Sequence, residues 1–381
     1  MKKNLSSLQD KTILQVLPNM DVGGIEQGTL QIVEALHNVG ARALVVCHGG
    51  RLIEDVVKRG GEVITLPVHS KNPLVMLKNI HSLKRLITKE RVDLVHARSR
   101  APAWSSYWAS KSLHIPFLTT FHGTYNFHNP FKKFYNKIMT KGDRVIAISN
   151  FIGQHIEKNY GLNHEKIDII WRGIDLEVFD PKKIKQDYRK KWGIPADHFL
   201  ILMVGRLTRW KGQKVLLEAL SHLTSKKIAC VFLGSHQGRE AYKLELENYT
   251  KHKRLEHLVR FVENDAMPAA YSSADLIVHA STDPEAFGRV VAEAQAMEKP
   301  VIASCLGGPK EIIKDGETGW LIEPNDPKAL ATVIELALNL KASQRQSMGK
   351  KGRQRVRENF SKESMCAKTL AVYAKVLGTK A

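Results

Sequence analysis

The sequence predicts an α/β protein made of two doubly wound parallel-sheet domains. Three observations point there. Short apolar, β-branched runs alternate with longer amphipathic stretches, the pattern of strands feeding crossover helices. The rhythm runs through the first half of the chain and starts again in the second. Glycine-rich turns follow several of the apolar runs, which is where such sheets carry ligands. At 381 residues the chain is also too long for one ordinary core.

In the first half, residues 13–17 read as a strand, followed by a glycine turn and a helix over 26–39. A second strand over 43–47 precedes a helix over 52–59. Strands follow at 63–66, 94–96, 117–121 and 144–148, with a helix over Pro73–Lys89. In the second half, strands are expected at 200–204, 229–233, 259–261, 276–278 and 301–303. Helices are expected over 212–223, 238–252 and 286–297, and a last one over 361–377. The division is an N-terminal Rossmann-like domain over 1–175, a linker over 176–195 and a C-terminal Rossmann-like domain over 196–360. The linker is polar and contains Pro181 and Pro195. Residues 361–381 are expected to pack back toward the N-terminal domain. Two such domains facing each other make a central cleft, with ligands at the carboxyl ends of the strands.

Apolar residues at 43% and charged residues at 25% are ordinary for a soluble globular protein. A net charge of +20 suits an anionic partner: nucleic acid, acidic lipid or a phosphorylated small molecule. The same excess also reads as a generally basic, solvated surface. The cysteines (Cys47, Cys230, Cys305, Cys366) are far apart, without a C-x-x-C pair. That speaks against a disulfide framework or zinc site and fits a reducing cytoplasm. Lys2 and Lys3 precede a polar stretch, so no signal peptide is expected. No apolar run approaches the ~18 residues that span a bilayer, so membrane contact would be peripheral.

The most informative segment runs Asp-Pro-Glu-Ala-Phe-Gly-Arg from Asp283 to Arg289 and on through Glu293. Glu285 stands in a turn after an apolar run, where its carboxylate can accept bonds from hydroxyls. Ala286, Phe287 and Gly288 are expected to offer N–H groups at a helix N-terminus, suited to phosphate. Glu293 falls about two turns along that helix, ~11–12 Å further by helical rise. There it could accept both hydroxyls of a ribose. Alternatively the two acids lie on an exposed helix.

Other glycine-bounded turns follow strands. Gly23-Gly24-Ile25-Glu26 opens a helix, and its glycines allow close backbone approach to a ligand. It lacks the G-x-G-x-x-G dinucleotide fingerprint, which counts against an NAD or FAD enzyme. His122 ends a strand before Gly123, directed at the expected cleft. Arg206 and Lys211 stand across a turn bounded by Gly205 and Gly212, where two fixed cations can grip a diphosphate. Gly307-Gly308 makes another strand-to-helix turn.

In this order the motifs resemble the retaining glycosyltransferases of family 4, which have the GT-B fold. The likeness rests on Glu285 to Glu293 with Phe287-Gly288 inside, Gly205-Arg206 to Lys211-Gly212, Gly23-Gly24 with Glu26, and His122-Gly123. It extends to Arg172-Gly173-Ile174-Asp175 and to the stretch from Met348-Gly349 to Phe360. Arg172 departs from the pattern, since many members have Asn there. The segment from His279 to Glu285 and Val16-Leu17-Pro18 further resemble bacterial lipopolysaccharide-core glycosyltransferases, including mannosyltransferases.

The resemblance implies sugar transfer from a nucleotide diphosphate donor to a saccharide or lipid-linked acceptor, with retention. Arg206 and Lys211 would hold the diphosphate, Glu293 the ribose, and Glu285 with Ala286–Gly288 the donor sugar and phosphate. His122 would lie near the reacting sugar, and Gly23 and Gly24 near phosphate or acceptor. No D-x-D motif occurs, so neither a metal nor another cofactor is required. Apolar and basic residues mix over 73–91 and 127–137, which suits an anionic membrane face on the cytoplasmic side. The first of these stretches also reads as a helix with a core-facing side. The rivals are a GT-B-fold sugar epimerase or phosphorylase, and a basic nucleic-acid-binding protein. The chain has no helix-turn-helix, zinc or RNP-like motif for the last.

Overall fold

The computed structural model describes residues 8–378 apart from 22, 126 and 226. Residues 1–7, part of the stretch read against a signal peptide, lie outside the described residues. The chain divides into two compact units, one of residues up to Gly173 together with those from Lys362 onward, the other Ile174–Ser361.

The first unit runs β1 (Thr12–Val16), α1 (Gly24–Asn38), β2 (Arg42–Cys47), α2 (Ile53–Lys58), β3 (Gly61–Thr65), α3 (Pro73–Lys89) and β4 (Leu94–Ala97). It continues with α4 (Arg100–Leu113), β5 (Phe117–Phe121), α5 (Pro130–Lys137), β6 (Arg144–Ala147), α6 (Asn150–Tyr160) and β7 (Ile167–Ile169). The strands form one parallel sheet in the order β3-β2-β1-β4-β5-β6-β7. Strands with both faces covered read as unbroken apolar runs, and β1 is buried at every position. Local chemistry sets the helix starts. Asn72 caps α3 by accepting from the Leu74 N–H, with Pro73 opening the helix.

The second unit contains β8 (Phe199–Val204), α7 (Gln213–Ser221), β9 (Ile228–Leu233), α8 (Glu240–His252), β10 (Val259–Val262), α9 (Met267–Ser273) and β11 (Leu276–His279). Then come α10 (Arg289–Ala296), β12 (Val301–Ser304), α11 (Pro309–Ile312), β13 (Trp320–Ile322), α12 (Pro327–Asn339) and α13 (Ala342–Asn359). Its parallel sheet has the order β10-β9-β8-β11-β12-β13. Ile201, Phe232, Val278, Ile302, Leu216 and Leu330 meet in its core.

The last helix, α14 (Lys362–Val376), belongs to the first unit. Its Met365, Leu370 and Tyr373 pack with Ile13, Leu94, Leu118 and Ile146 of the sheet and Leu30 and Val33 of α1.

Two expectations change. Residues 174–195, read mostly as linker, pack with the second unit. Trp192 is buried and its indole N–H donates to Asp265 at 3.0 Å, while Arg189 pairs with Asp275 at 2.6 Å. Aromatic and charged anchors thus tie down a stretch whose composition reads as loose. The helix expected from Ala286 starts at Arg289, because Gly288 has φ +91° and a left-handed residue ends helical continuity. The amides of Ala286 and Phe287 therefore precede the helix, and the helical-rise separation of Glu285 from Glu293 does not apply.

In both sheets the chain reverses direction of growth beside the first strand of the unit: between β1 and β4, and between β8 and β11. Loops leaving such a pair of strands diverge to opposite sides and open a crevice at their carboxyl ends. Gly23, Arg206, Lys211 and Glu285 to Gly288 sit on these loops and Gly24 opens α1, whereas His122 follows β5 and Glu293 lies within α10.

Candidate functional site

In the second unit, the loop after β8 carries Arg206 and Lys211, and the loop after β11 carries Glu285. These loops are joined, the Thr282 N–H donating to Trp210 O at 2.8 Å. A third loop, after β12, closes on them where the Gly308 N–H donates to Glu285 O at 2.8 Å. The approach is close enough to require glycine. A Cβ on Gly212, whose φ is +80°, would stand 1.9 Å from Ala280 O. A Cβ on Gly308 would stand 2.3 Å from Phe287 O.

The side chains at the centre form a buried network. Lys211 Nζ pairs with Glu285 Oε1, their side chains only 11% and 12% exposed. His279, the last residue of β11, brings Nε2 within 2.7 Å of the same oxygen. Ser281 Oγ donates to it at 2.9 Å. A carboxylate can only accept, so His279 carries its proton on Nε2. Its buried Nδ1 has no partner among the described residues. One oxygen of Glu285 thus takes three donors, and Oε2 takes none among the described residues. Burial by itself would push the Glu285 carboxyl up. His279 and Lys211 outweigh it and hold the group well below the usual carboxylate range.

Arg206 is exposed and reaches Gln237 Oε1 only at 3.5 Å, leaving its guanidinium available at the mouth of the loop. Its backbone is fixed instead, as Gln213 Nε2 donates to Arg206 O at 2.9 Å. Glu293 is in a different setting. It is 6% exposed, accepts from Tyr271 Oη at 3.0 Å and pairs with Arg289 Nε at 2.6 Å. Burial, and then Glu293, push the Tyr271 hydroxyl well above its ordinary pKa, so it stays a donor. Phe287 is buried and meets Phe360 edge-on, an anchor for the turn that carries Glu285.

In the first unit, His122 follows β5. Both its ring nitrogens are buried and without a hydrogen-bond partner among the described residues. Burial, with Arg172, Arg98 and His96 nearby, holds the ring neutral well below the ordinary 6.5. Gly24 and Gly28 lie four apart on α1 and make room for Arg172, whose Nη2 donates to Gly24 O. A Cβ on Gly28 would stand 2.4 Å from Arg172 Nη1. Beside Gly23, the Glu26 carboxyl is raised by burial.

The structure thus brings Lys211, Glu285 and the backbone of Arg206 together, and gathers Gly24 and His122 around Arg172 in the other unit. No motif in the sequence marks a role for His279, Ser281, Tyr271 or Arg98. Only one signal was available: His279 and Ser281 are two apart at a strand end, so they share a face. Tyr271 meets Glu293 through tertiary packing alone. Among the described residues no group of three or more His, Cys, Asp or Glu side chains converges as a metal site.

Residues 22–178 match the family model described as Glycosyltransferase Family 4, and residues 184–355 match Glycosyl transferases group 1. The crystal structure of a glycosyltransferase from Rickettsia africae ESF-5 is 38% identical and has a TM-score of 0.90, covering 97% of this chain and 99% of that one. Spore coat protein SA of Bacillus subtilis (strain 168) is 27% identical over 307 residues, 76% of this chain and 80% of that protein. HepE of Anabaena, crystallised with UDP and glucose, shares the fold at a TM-score of 0.81 with 22% identity, covering 95% and 99% of the two chains. The two matched domains, the two parallel sheets and the full-length likeness to the Rickettsia enzyme agree, and the chain belongs to the glycosyltransferases of GT-B type, a family 4 domain followed by a group 1 domain.

Proposed function

We propose that this glycosyltransferase moves a sugar from a nucleotide diphosphate donor to a saccharide or lipid-linked acceptor, with retention at the anomeric carbon. The observation that carries the reading is the Lys211–Glu285–His279 network: a buried carboxylate saturated on one oxygen and open on the other, with Arg206 exposed on the adjoining loop. The open oxygen suits a donor-sugar hydroxyl. Negative charge grows on the departing diphosphate, and Arg206 and Lys211 stabilise it most in the transition state. Neither a metal nor another cofactor is needed for that charge.

Glu293 takes the ribose hydroxyls, held in one rotamer by Tyr271 and Arg289. The amides of Ala286, Phe287 and Gly288 line the phosphate side, and those of Gly23 and Gly24 the phosphate or acceptor. His122 is neutral and offers two unpartnered nitrogens to the reacting sugar. The leaving phosphate takes the acceptor's proton in a front-face displacement, so no separate base is called for.

The acceptor we infer is a cell-envelope glycan, lipopolysaccharide core first among them, with mannose the first donor sugar to try. The segment from His279 to Glu285 supports that choice by its resemblance to core transferases. The first unit exposes apolar side chains beside cations. Leu74 is 70% exposed and Leu77 62% on α3, Phe131 87% and Phe134 66% on α5, near Lys78, Lys132 and Lys133. Among the described residues no helix is long and apolar enough to cross a membrane. A peripheral seat on an anionic inner-membrane face fits this surface.

A thermal-shift panel of nucleotide sugars, followed by NMR of the product, tests the reading. Stabilisation by at least one nucleotide sugar and an axial-to-axial or equatorial-to-equatorial outcome is expected. Inversion at the transferred carbon, or no response to any nucleotide diphosphate, sinks it.

A further inference from the structure

We propose that His279 and Ser281 are positioning residues for transfer, holding the Glu285 carboxylate in the one orientation that presents its Oε2 to the donor sugar. This rests on the glycosyl-transfer reading and names the side chains that give the site its hold on the sugar.

Glu285 stands on a turn. The Gly308 N–H donates to its carbonyl at 2.8 Å, which fixes the backbone but leaves the side-chain torsions free. The sheet supplies what the turn lacks. His279 closes β11, in register with Ala303 of β12, and its side chain is 2% exposed. Strand β11 also pairs with β8, so His279 ends a strand held on both edges. Ser281, also 2% exposed, follows two residues on. A buried imidazole at a strand end has little room to turn, so its Nε2 is a fixed point, 2.7 Å from Glu285 Oε1. Ser281 Oγ reaches the same oxygen at 2.9 Å and lies 3.4 Å from His279 Nε2. Lys211 Nζ is the third donor to Oε1.

The distribution of these donors matters more than their number. An ionised carboxylate offers about four lone-pair sites over two oxygens. Donors gathered on one oxygen repel each other, so donors that served only to offset burial would stabilise the fold best when shared between the two. Here all three meet at Oε1 and none of the described residues donates to Oε2, while the side chain keeps 12% of its surface open. The result is an ionised acceptor of fixed direction, arranged before any sugar arrives. Without His279 the carboxylate can turn about its last torsion. Contact with the sugar then weakens, while the diphosphate grip of Arg206 and Lys211 is untouched.

That difference is measurable. Titration calorimetry on the full chain compares UDP with UDP-glucose, GDP with GDP-mannose and ADP with ADP-glucose. The ratio of nucleotide-sugar to nucleotide affinity isolates the share of the sugar. His279→Leu should bind the nucleoside diphosphate within about twofold of wild type and lose about tenfold in that ratio. Ser281→Ala should lose about threefold in it. His279→Gln keeps an N–H donor near the place of Nε2 and should recover the ratio to within about threefold of wild type. Thermal unfolding checks that each variant is folded; if His279→Leu is not, Ser281→Ala carries the comparison. A purely structural role would lower the melting temperature and leave the ratio at its wild-type value, and that result overturns the proposal. An equal loss in His279→Gln and His279→Leu overturns it too. If wild type binds none of the six compounds, the transferase reading falls and this inference with it. If wild type binds one pair and the variants keep its ratio, only this inference falls.

Discussion

Breaking the Lys211–Glu285 pair from one side should destabilise the second unit far more than removing both partners. The two side chains are 11% and 12% exposed, so each charge depends on the other for what water would otherwise supply. Two unit charges ~3 Å apart attract by ~5–6 kcal/mol at an effective dielectric of ~20. Desolvation offsets much of that in the intact pair, but not when one partner goes. Lys211→Met leaves Glu285 with His279 at 2.7 Å and Ser281 at 2.9 Å but without the lysine's charge, a loss of ~3 kcal/mol or more. Glu285→Gln strands the lysine at similar cost. In Lys211→Met/Glu285→Gln the losses should fall short of their sum by ~2 kcal/mol or more. Urea unfolding, with hydrogen exchange on peptides covering 199–212 and 276–296, assigns the transition to this unit. The intact pair also has a pH signature. Glu285 titrates well below its ordinary 4.5, so its stabilisation is complete above that value and is lost as pH falls toward the folded-state pKa. In Lys211→Met the acid limb should begin at higher pH. Additivity within ~0.5 kcal/mol, with an unmoved acid limb, would mean that the two charges do not depend on each other.

Arg206→Ala should leave the melting temperature nearly unchanged, since the side chain is exposed, while transfer falls ~100-fold or more. Kinetics of nucleoside diphosphate release checks it. Gly212→Ala should yield little folded protein, because its Cβ would stand 1.9 Å from Ala280 O at φ +80°; soluble yield and thermal unfolding report on it. His122 is held neutral well below 6.5, so its ring NMR shifts should stay constant from pH 8 through 6.5. Its contribution to stability is full above the unfolded-state value and declines as pH falls below it, since the unfolded chain then binds the proton first. Tyr271→Phe should keep the fold and weaken nucleotide binding about tenfold, by releasing one oxygen of Glu293. Titration calorimetry with the donor's nucleoside diphosphate decides that one.

Much of the fold was legible because parallel strands buried on both faces must be apolar along their length. Residues 117–121 and 73–89 were bounded from sequence as the structure has them. Where the pattern weakens, legibility stops. Strand β7 has only three residues, and α4 carries Pro102 and several serines, so neither announces itself. The tyrosine beneath Glu293 and the arginine beside His122 come from elements distant in sequence, and no local spacing encodes them.

The alternation of strands and helices, the family and the loops that bear Arg206, Lys211, Glu285 and His122 are all readable from the amino-acid order. They are readable there because periodicity and glycine-bounded turns are local properties. Packing in three dimensions leaves one oxygen of Glu285 open among the described residues and buries Glu293 against Tyr271 and Arg289. Those facts depend on which buried charges meet which partners, and burial arises only when separate elements close over the same space.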